Sequence, residues 1–276
     1  MRTYLRVAMD TSARIGMGMR WARWRWHAVG RHGLHAPLLY AWVEAIRDGR
    51  GVRGGEEIEE ERRRMEGERT VLEGADPGCG SRRGGGERTV GEVARVALKP
   101  EAQVRALVEL GRTVGAREVL EFGTCLGITA AHLAASGFRV RTVEGHRGLA
   151  RRAVEGWRRV GLDGQVQLEV GLFSEVLDRW EAESLVHQWD MIFLDGHHDG
   201  EAMRGYLQRL RPLLAPGGCI VCDDIHWSSG MERAWHEEIR DWRTTVDAFH
   251  FGVLFGRNDL TPGHFRVRLP GATFGV

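Results

Sequence analysis

Carboxylates stand where apolar runs end in this chain, and their spacing is what suggests chemistry. Glu121 follows Val119-Leu120, Glu144 follows Thr142-Val143, Asp195 follows Ile192-Phe193-Leu194, and Asp223-Asp224 follow Ile220-Val221-Cys222. If each run is a strand of one parallel sheet, the acids collect at one edge, where open α/β sheets bind ligands. Asp195, Asp223 and Asp224 would then offer the oxygen ligands that Mg²⁺ or Mn²⁺ prefers. The other reading makes them caps of helix starts and turns, a common use of aspartate. His198, three residues beyond Asp195, has an imidazole suited to general-base work near neutral pH.

Between the first run and the next helix lies Gly123-Thr124-Cys125-Leu126-Gly127-Ile128-Thr129. Glycines let backbone approach a ligand closely, and the helix start offers free N–H groups to an anion. The spacing is neither the G-x-G-x-x-G of dinucleotide binders nor a P-loop, since no Lys-Ser/Thr follows. An acid after the second strand accepts ribose hydroxyls in nucleotide-binding sheets, a role that falls to Glu144.

These residues need a scaffold, and the hydrophobic pattern supplies one. Strands are predicted at 118–122, 139–143, 166–170, 190–194 and 219–222, alternating with helices at 129–135, 149–160, 174–180 and 201–214. Two helices precede them, at 90–98 and 101–114; a helix at 229–241 and strand-like runs at 245–255 and 265–269 follow. Such alternation argues for an α/β fold, a doubly wound and mostly parallel sheet of seven strands with helices on both faces. Residues 89–276 form this domain, and 1–88 are a helical or flexible extension that covers an acceptor site. Within the extension, 36–47 reads as an amphipathic helix with Pro37 in its first turn. The Glu/Arg/Gly-rich 50–74 reads as a charged solvent-exposed helix or a mobile segment, and 50–86 as a whole is expected to be poorly ordered. The stretch 78–86 is a loop by composition, either a flexible connector or an anion-binding turn.

With 276 residues and 42% hydrophobic content the chain can bury a large core. A formal net charge of +1 gives no global field that would call for nucleic acid as a partner. Of the four cysteines, Cys219 and Cys222 fall in a strand and face opposite sides, so they do not make half of a zinc site. No apolar stretch reaches membrane-spanning length and no signal-peptide core is present, so a cytoplasmic protein with reduced cysteines is expected. Oligomeric state is left open, a homodimer included.

E-x-G-x-x-x-G-x-T, from Glu121 to Thr129, resembles the first motif of class I S-adenosylmethionine (AdoMet) methyltransferases, particularly the catechol O-methyltransferase-like branch. Thr142-Val143-Glu144-Gly145-His146 is similar to that family's second motif. The resemblance implies AdoMet as cofactor, held by Glu121, Gly123, Thr124, Gly127, Thr129, Glu144, Gly145 and Asp195, with Leu172 and Phe173 beside the adenine. It also puts Asp195, Asp223 and Asp224 on the family's metal positions, although the third is usually Asn there. His198 takes the place of the family's proton-accepting lysine. A closer likeness is to a bacterial group of class I methyltransferases carrying H-G-[IL]-H-[SA]-P and D-D-I-H-W-S, here His32 to Pro37 and Asp223 to Ser228. That likeness implies fold and cofactor but no defined acceptor.

The favoured activity is therefore AdoMet-dependent methylation of a small-molecule acceptor, at oxygen rather than nitrogen, with Asp195 and His198 as catalytic candidates. The competing reading is an RNA-binding or RNA-modifying protein. In it Arg20, Arg23, Arg25 and Arg31 grip backbone while Trp21, Trp24 and Trp26 stack on bases. A non-catalytic AdoMet fold and a nicotinamide oxidoreductase are weaker alternatives, the latter disfavoured by the glycine spacing.

Overall fold

The computed structural model describes residues 11–49, 51, 54–73, 88–184, 187–197 and 199–271. Five helices come first: α1 (Thr11–His27), α2 (Pro37–Asp48), α3 (Gly55–Glu66), α4 (Val90–Ala97) and α5 (Glu101–Val114). Thr89 starts α4 with a capping box, its side chain accepting from the Glu92 N–H while Glu92 returns to the Thr89 N–H. Pro100 precedes α5, and the Leu98-Lys99-Pro100 link between the two helices matters below.

The expected parallel strands follow: β1 (Glu118–Phe122), β2 (Arg139–Glu144), β3 (Val166–Val170), β4 (Trp189–Leu194) and β5 (Leu214–Asp223). They are joined by α6 (Ile128–Ala135), α7 (Arg147–Arg159), α8 (Phe173–Ala182) and α9 (Gly200–Leu210). After β5 come α10 (Ser229–Glu238), β6 (Thr244–Asp247), β7 (Phe251–Phe255) and β8 (Gly263–Arg266). The strand order is β3-β2-β1-β4-β5-β7-β6-β8. Strand order reverses between β1 and β4, so their C-terminal ends open a crevice at the topological switch point.

The sheet has eight strands where seven were expected. The apolar run at 245–255 folds back on itself as β6 and β7, paired antiparallel. Its turn uses Phe249 with φ +70° and an Ala248 N–H that donates to the Phe251 carbonyl, with neither Gly nor Pro to announce it. The last strand, β8, then lies parallel to β6 and begins two residues earlier than the predicted run.

Two apolar layers sandwich the sheet, as strand alternation requires. Val119, Met191, Phe193, Cys219 and Val221 face one layer with α2, α4, α5 and α6. Leu120, Phe122, Ile192, Leu194, Ile220 and Cys222 face the other with α8, α9 and α10. Cys219 and Cys222 thus lie on opposite faces, both free thiols, as their spacing implied.

The charged segment before residue 74 behaves differently from either expectation for it. It forms α3, but α3 is docked: Ile58 and Met65 are buried in the main apolar layer. Glu61, also buried, accepts from Arg159 at 2.9–3.0 Å and from Arg152 at 3.3 Å, both on α7. Glu59 meets His132 of α6 at 2.8 Å. A surface-like composition here hides a buried ion network, which a count of apolar residues cannot reveal. The loop at 78–86 lies outside the described residues.

Candidate active site

The turns that leave β1, β2, β4 and β5 are laced together at one edge of the sheet. Val143 O accepts from Gly123 N–H at 3.0 Å and Thr124 N–H at 3.2 Å, and Phe122 O accepts from Asp195 N–H at 2.8 Å. Cys125, His197 and Asp224 all have φ between 51° and 55°, so three of these turns place a non-glycine residue in the left-handed region. Such strain persists where surrounding contacts over-determine it, and it clusters at functional sites.

Within the glycine turn the structure gives each glycine a reason of its own. A Cβ on Gly123, whose φ is +110°, would fall 1.8 Å from the Asp195 carbonyl oxygen. A Cβ on Gly127, φ +79°, would meet Trp157 Nε1 at 2.7 Å, the same N–H that donates to Gly127 O. Both glycines are therefore required by the chain's own packing as well as by any ligand. Thr129 and Thr124 are buried, and Thr124 Oγ1 lies 2.6 Å from Thr142 Oγ1, which donates to Glu121 Oε2 at 2.6 Å.

Glu121 is almost wholly buried, and its second oxygen, Oε1, has no hydrogen-bond partner. Burial pushes its carboxyl up to about 8, against the opposing pull of Thr142 and Lys99. Glu144 braces the neighbouring turns: Oε2 accepts from the Cys125 N–H at 2.7 Å and Oε1 from the His146 N–H at 2.8 Å. Gly145, between them, is partly exposed. Leu172 is exposed at the end of β3, and Phe173 packs edge-on against Phe122 with ring centres 5.0 Å apart.

Asp195 and Asp223 do converge, and a residue absent from the sequence reading stands between them. Lys99, 5% exposed, places Nζ 3.1 Å from Asp195 Oδ2 and 2.5 Å from Asp223 Oδ2, above the Phe193 ring. Burial raises the Asp195 carboxyl well above its usual range; Lys99 opposes this, and Asp223 and Asp224 add to it. Among the described residues no group of three His, Cys, Asp or Glu side chains could hold a metal ion. A lysine side chain thus takes the space between Asp195 and Asp223, two of the three residues expected to hold a metal. Asp224 instead uses its backbone, donating from N–H to His250 O at 2.6 Å and accepting the Trp227 N–H at 2.8 Å. His198 lies outside the described residues; its neighbour His197 has Nδ1 3.2 Å from the Tyr206 hydroxyl.

One signal in the sequence could have found Lys99. Of the 39 lysines and arginines in the chain it is the sole lysine.

The Trp/Arg-rich N-terminus packs on the residues that follow β5 and on the end of β6. Arg20 on α1 donates to His226 O at 2.9 Å and Trp227 O at 3.1 Å, Arg23 pairs with Glu232, and Trp24 Nε1 donates to Asp247 O. Trp24 is buried against Phe249, so this tryptophan is not offered to bases. It is α1 that reaches the strand ends; α2 packs on the sheet face, its Trp42 donating to Ala106 O of α5. His226 is held between carboxylates, with Nε2 3.0 Å from Asp247 Oδ2 and Nδ1 3.4 Å from Glu232 Oε1. Burial disfavours its charged form, but the two acids outweigh that and raise its pKa, while His226 and Arg23 draw Glu232 down to about 2. A cavity of about 160 Å³ opens here, lined by Arg20, Arg23, Trp24, His226, His236 and Arg266 among others.

Comparison with known proteins follows the same lines. A family model described as a methyltransferase domain matches residues 120–225, from within β1 to just past β5. No curated protein matches the chain. Among solved structures, the O-methyltransferase from Bacillus cereus in complex with SAH is similar at 22% identity and TM-score 0.51, over 73% of this chain and 89% of that one. Cofactor-bound Rv0187 from MTB is similar at 23% identity and TM-score 0.50, over 59% and 83%. These likenesses establish the class I methyltransferase fold. No helix among the described residues is long and apolar enough to cross a membrane.

Proposed function

We propose that this chain, whose residues 120–225 match a methyltransferase domain on a class I methyltransferase fold, methylates an oxygen of a small-molecule acceptor with AdoMet. The observation that carries this reading is the meeting of Glu121, Glu144 and Asp195 around the glycine turn at the switch point. AdoMet fits the groups present there. The orphaned Glu121 Oε1 is a buried acceptor in want of a donor, and Glu121 and Asp195 suit the cationic amino-acid end. Glu144 ends β2, the position from which an acid takes ribose hydroxyls, and exposed Leu172 gives an adenine ring an apolar wall. AdoMet, when bound, supplies a methyl group made electrophilic by its sulfonium.

The chain's own part is to hold the acceptor in line with that methyl and to take its proton. Positioning alone can supply a large share of the rate. His198, three residues past Asp195, is the base that the sequence offers for the acceptor hydroxyl. The segment before residue 89 serves as the acceptor's cover, since α1 walls the cavity beside His226. With Arg20, Arg23 and Arg266 on its lining, that cavity suits an acceptor bearing a negative or strongly polar group. The RNA reading has less support: Trp24 is buried and Arg20 and Arg23 are engaged, which leaves Trp26 as its exposed ring.

Calorimetric titration with S-adenosylhomocysteine and with NAD tests the proposal. S-adenosylhomocysteine should bind and NAD should not, and Glu144→Ala should weaken binding by about 1–3 kcal/mol through lost hydrogen bonds to a charged group. Binding of NAD alone would transfer the chain to oxidoreductases.

A further inference from the structure

We propose that Lys99 is the resident cation of this site, occupying the place a divalent metal would take between Asp195 and Asp223. The geometry is that of an ion between its ligands: Nζ is 3.1 Å from one carboxylate oxygen and 2.5 Å from the other, at the ends of adjacent strands β4 and β5. Lys99 is buried and its Nζ lies 5.3 Å from the centre of the Phe193 ring, so the ammonium is held in place rather than swinging from solvent. Pro100 and the start of α5 fix its backbone one residue away.

Composition supports the same conclusion independently. Every other Lys or Arg position in the chain is arginine, so this sequence favours arginine wherever a positive charge suffices. An ammonium is a compact point charge, whereas a guanidinium is a broad planar fork. Only the former fits between two carboxylates brought this close without forcing the strand ends apart. Lysine is retained where a small cation is needed.

The acids also need a cation. Asp195 and Asp223 end adjacent strands and both reach the same Nζ, so as carboxylates they would repel one another without a cation between them. Lys99 offsets part of that repulsion, and it ties the α4–α5 link to both strand ends. Lys99 is thus a positioning residue whose charge does for the edge what a bound Mg²⁺ would otherwise do. This inference rests on the methyltransferase reading for its meaning, but its test does not.

The test is Mn²⁺ binding, followed by calorimetry and by the electron paramagnetic resonance of free Mn²⁺, in wild type, Lys99→Ala, Lys99→Arg and Lys99→Ala/Asp223→Asn. Wild type should show no saturable Mn²⁺ site at this edge, and Lys99→Arg, which keeps the charge there, should show none even where its broader head lowers stability. Lys99→Ala should gain one, with affinity at least about tenfold above wild type, as expected when oxygen ligands are vacated for a hard cation. Asp223→Asn in the same background should remove it. If Lys99→Ala does not fold, the near-isosteric Lys99→Met takes its place in the comparison. A wild type that binds Mn²⁺ at a saturable site as tightly as Lys99→Ala does overturns the proposal, and so does a folded Lys99→Ala or Lys99→Met with no gain. S-adenosylhomocysteine binding, read in the same samples, keeps the two failures apart: its absence sinks the methyltransferase reading and leaves the cation question to manganese.

Discussion

Glu121 shows how a single buried acid couples the site to pH. Its folded carboxyl sits at about 8 against an ordinary 4.5. Between those values the unfolded chain has released a proton that the folded chain keeps, so stability is greatest at the acid end and falls as pH rises towards 8. Glu121→Gln should flatten that slope, with a difference on the order of a few kcal/mol between the two ends of the window. Urea unfolding of both proteins at matched pH values measures it, and parallel slopes would contradict it. The role of Glu121 was legible as an acid closing a strand, but its isolation was not. That depends on Thr142 lying opposite it in β2 and on Lys99 arriving from another helix pair.

At the scale of elements, the glycine turn and α3 make separate demands. Gly123→Ala should cost about 2 kcal/mol or more, because a Cβ would add left-handed strain to a clash with the Asp195 carbonyl. Gly123→Ala should also lose ligand binding, through displaced strand ends rather than filled ligand space. Unfolding free energy and S-adenosylhomocysteine affinity measured together distinguish the two, since a stable variant that fails to bind would point to the ligand. For α3, Glu61→Ala leaves half-exposed Arg159 without this partner and leaves buried Arg152 with Glu68 alone of its two close acids. Losing hydrogen bonds to charged groups typically costs about 1–3 kcal/mol, and chemical unfolding should show a loss of that order. A change below about 0.5 kcal/mol, typical of a surface site, would mean that the network is solvated. The strands and the helices between them could be read from hydrophobic period alone. The docking of α3 could not, because its partners lie about 90 residues away and the apolar positions on it are few.

For the whole molecule, the division at residue 88 is a boundary of composition. Leu39, Trp42, Ile58 and Met65 share one apolar layer with Val119, Met191 and Val221. The chain is therefore expected to unfold in a single transition, with far-ultraviolet dichroism and tryptophan fluorescence coincident. Two separated transitions would show that the helices before residue 89 fold apart from the sheet. The first helix, α1, joins through a smaller cluster of its own, with Trp24 against Phe249 and with Arg20 and Trp24 anchored after β5 and at the end of β6.

Local sequence was enough for the βα alternation, the parallel sheet, the acids at its C-terminal edge and the glycine turn. Each is a property of short stretches: period-two apolarity, a terminal acid, a backbone that needs positive φ at Gly123 and Gly127. What the tertiary structure alone decided is which charges meet. Lys99 is 96 residues from Asp195 in sequence and 124 from Asp223, and nothing in its own neighbourhood marks the position as electrostatic. Side chains of opposite charge attract in inverse proportion to distance and dielectric, and both are set by the packing of α4, α5, β4 and β5. The three aspartates looked like a metal centre because their spacing said nothing about the lysine that the fold would deliver between two of them.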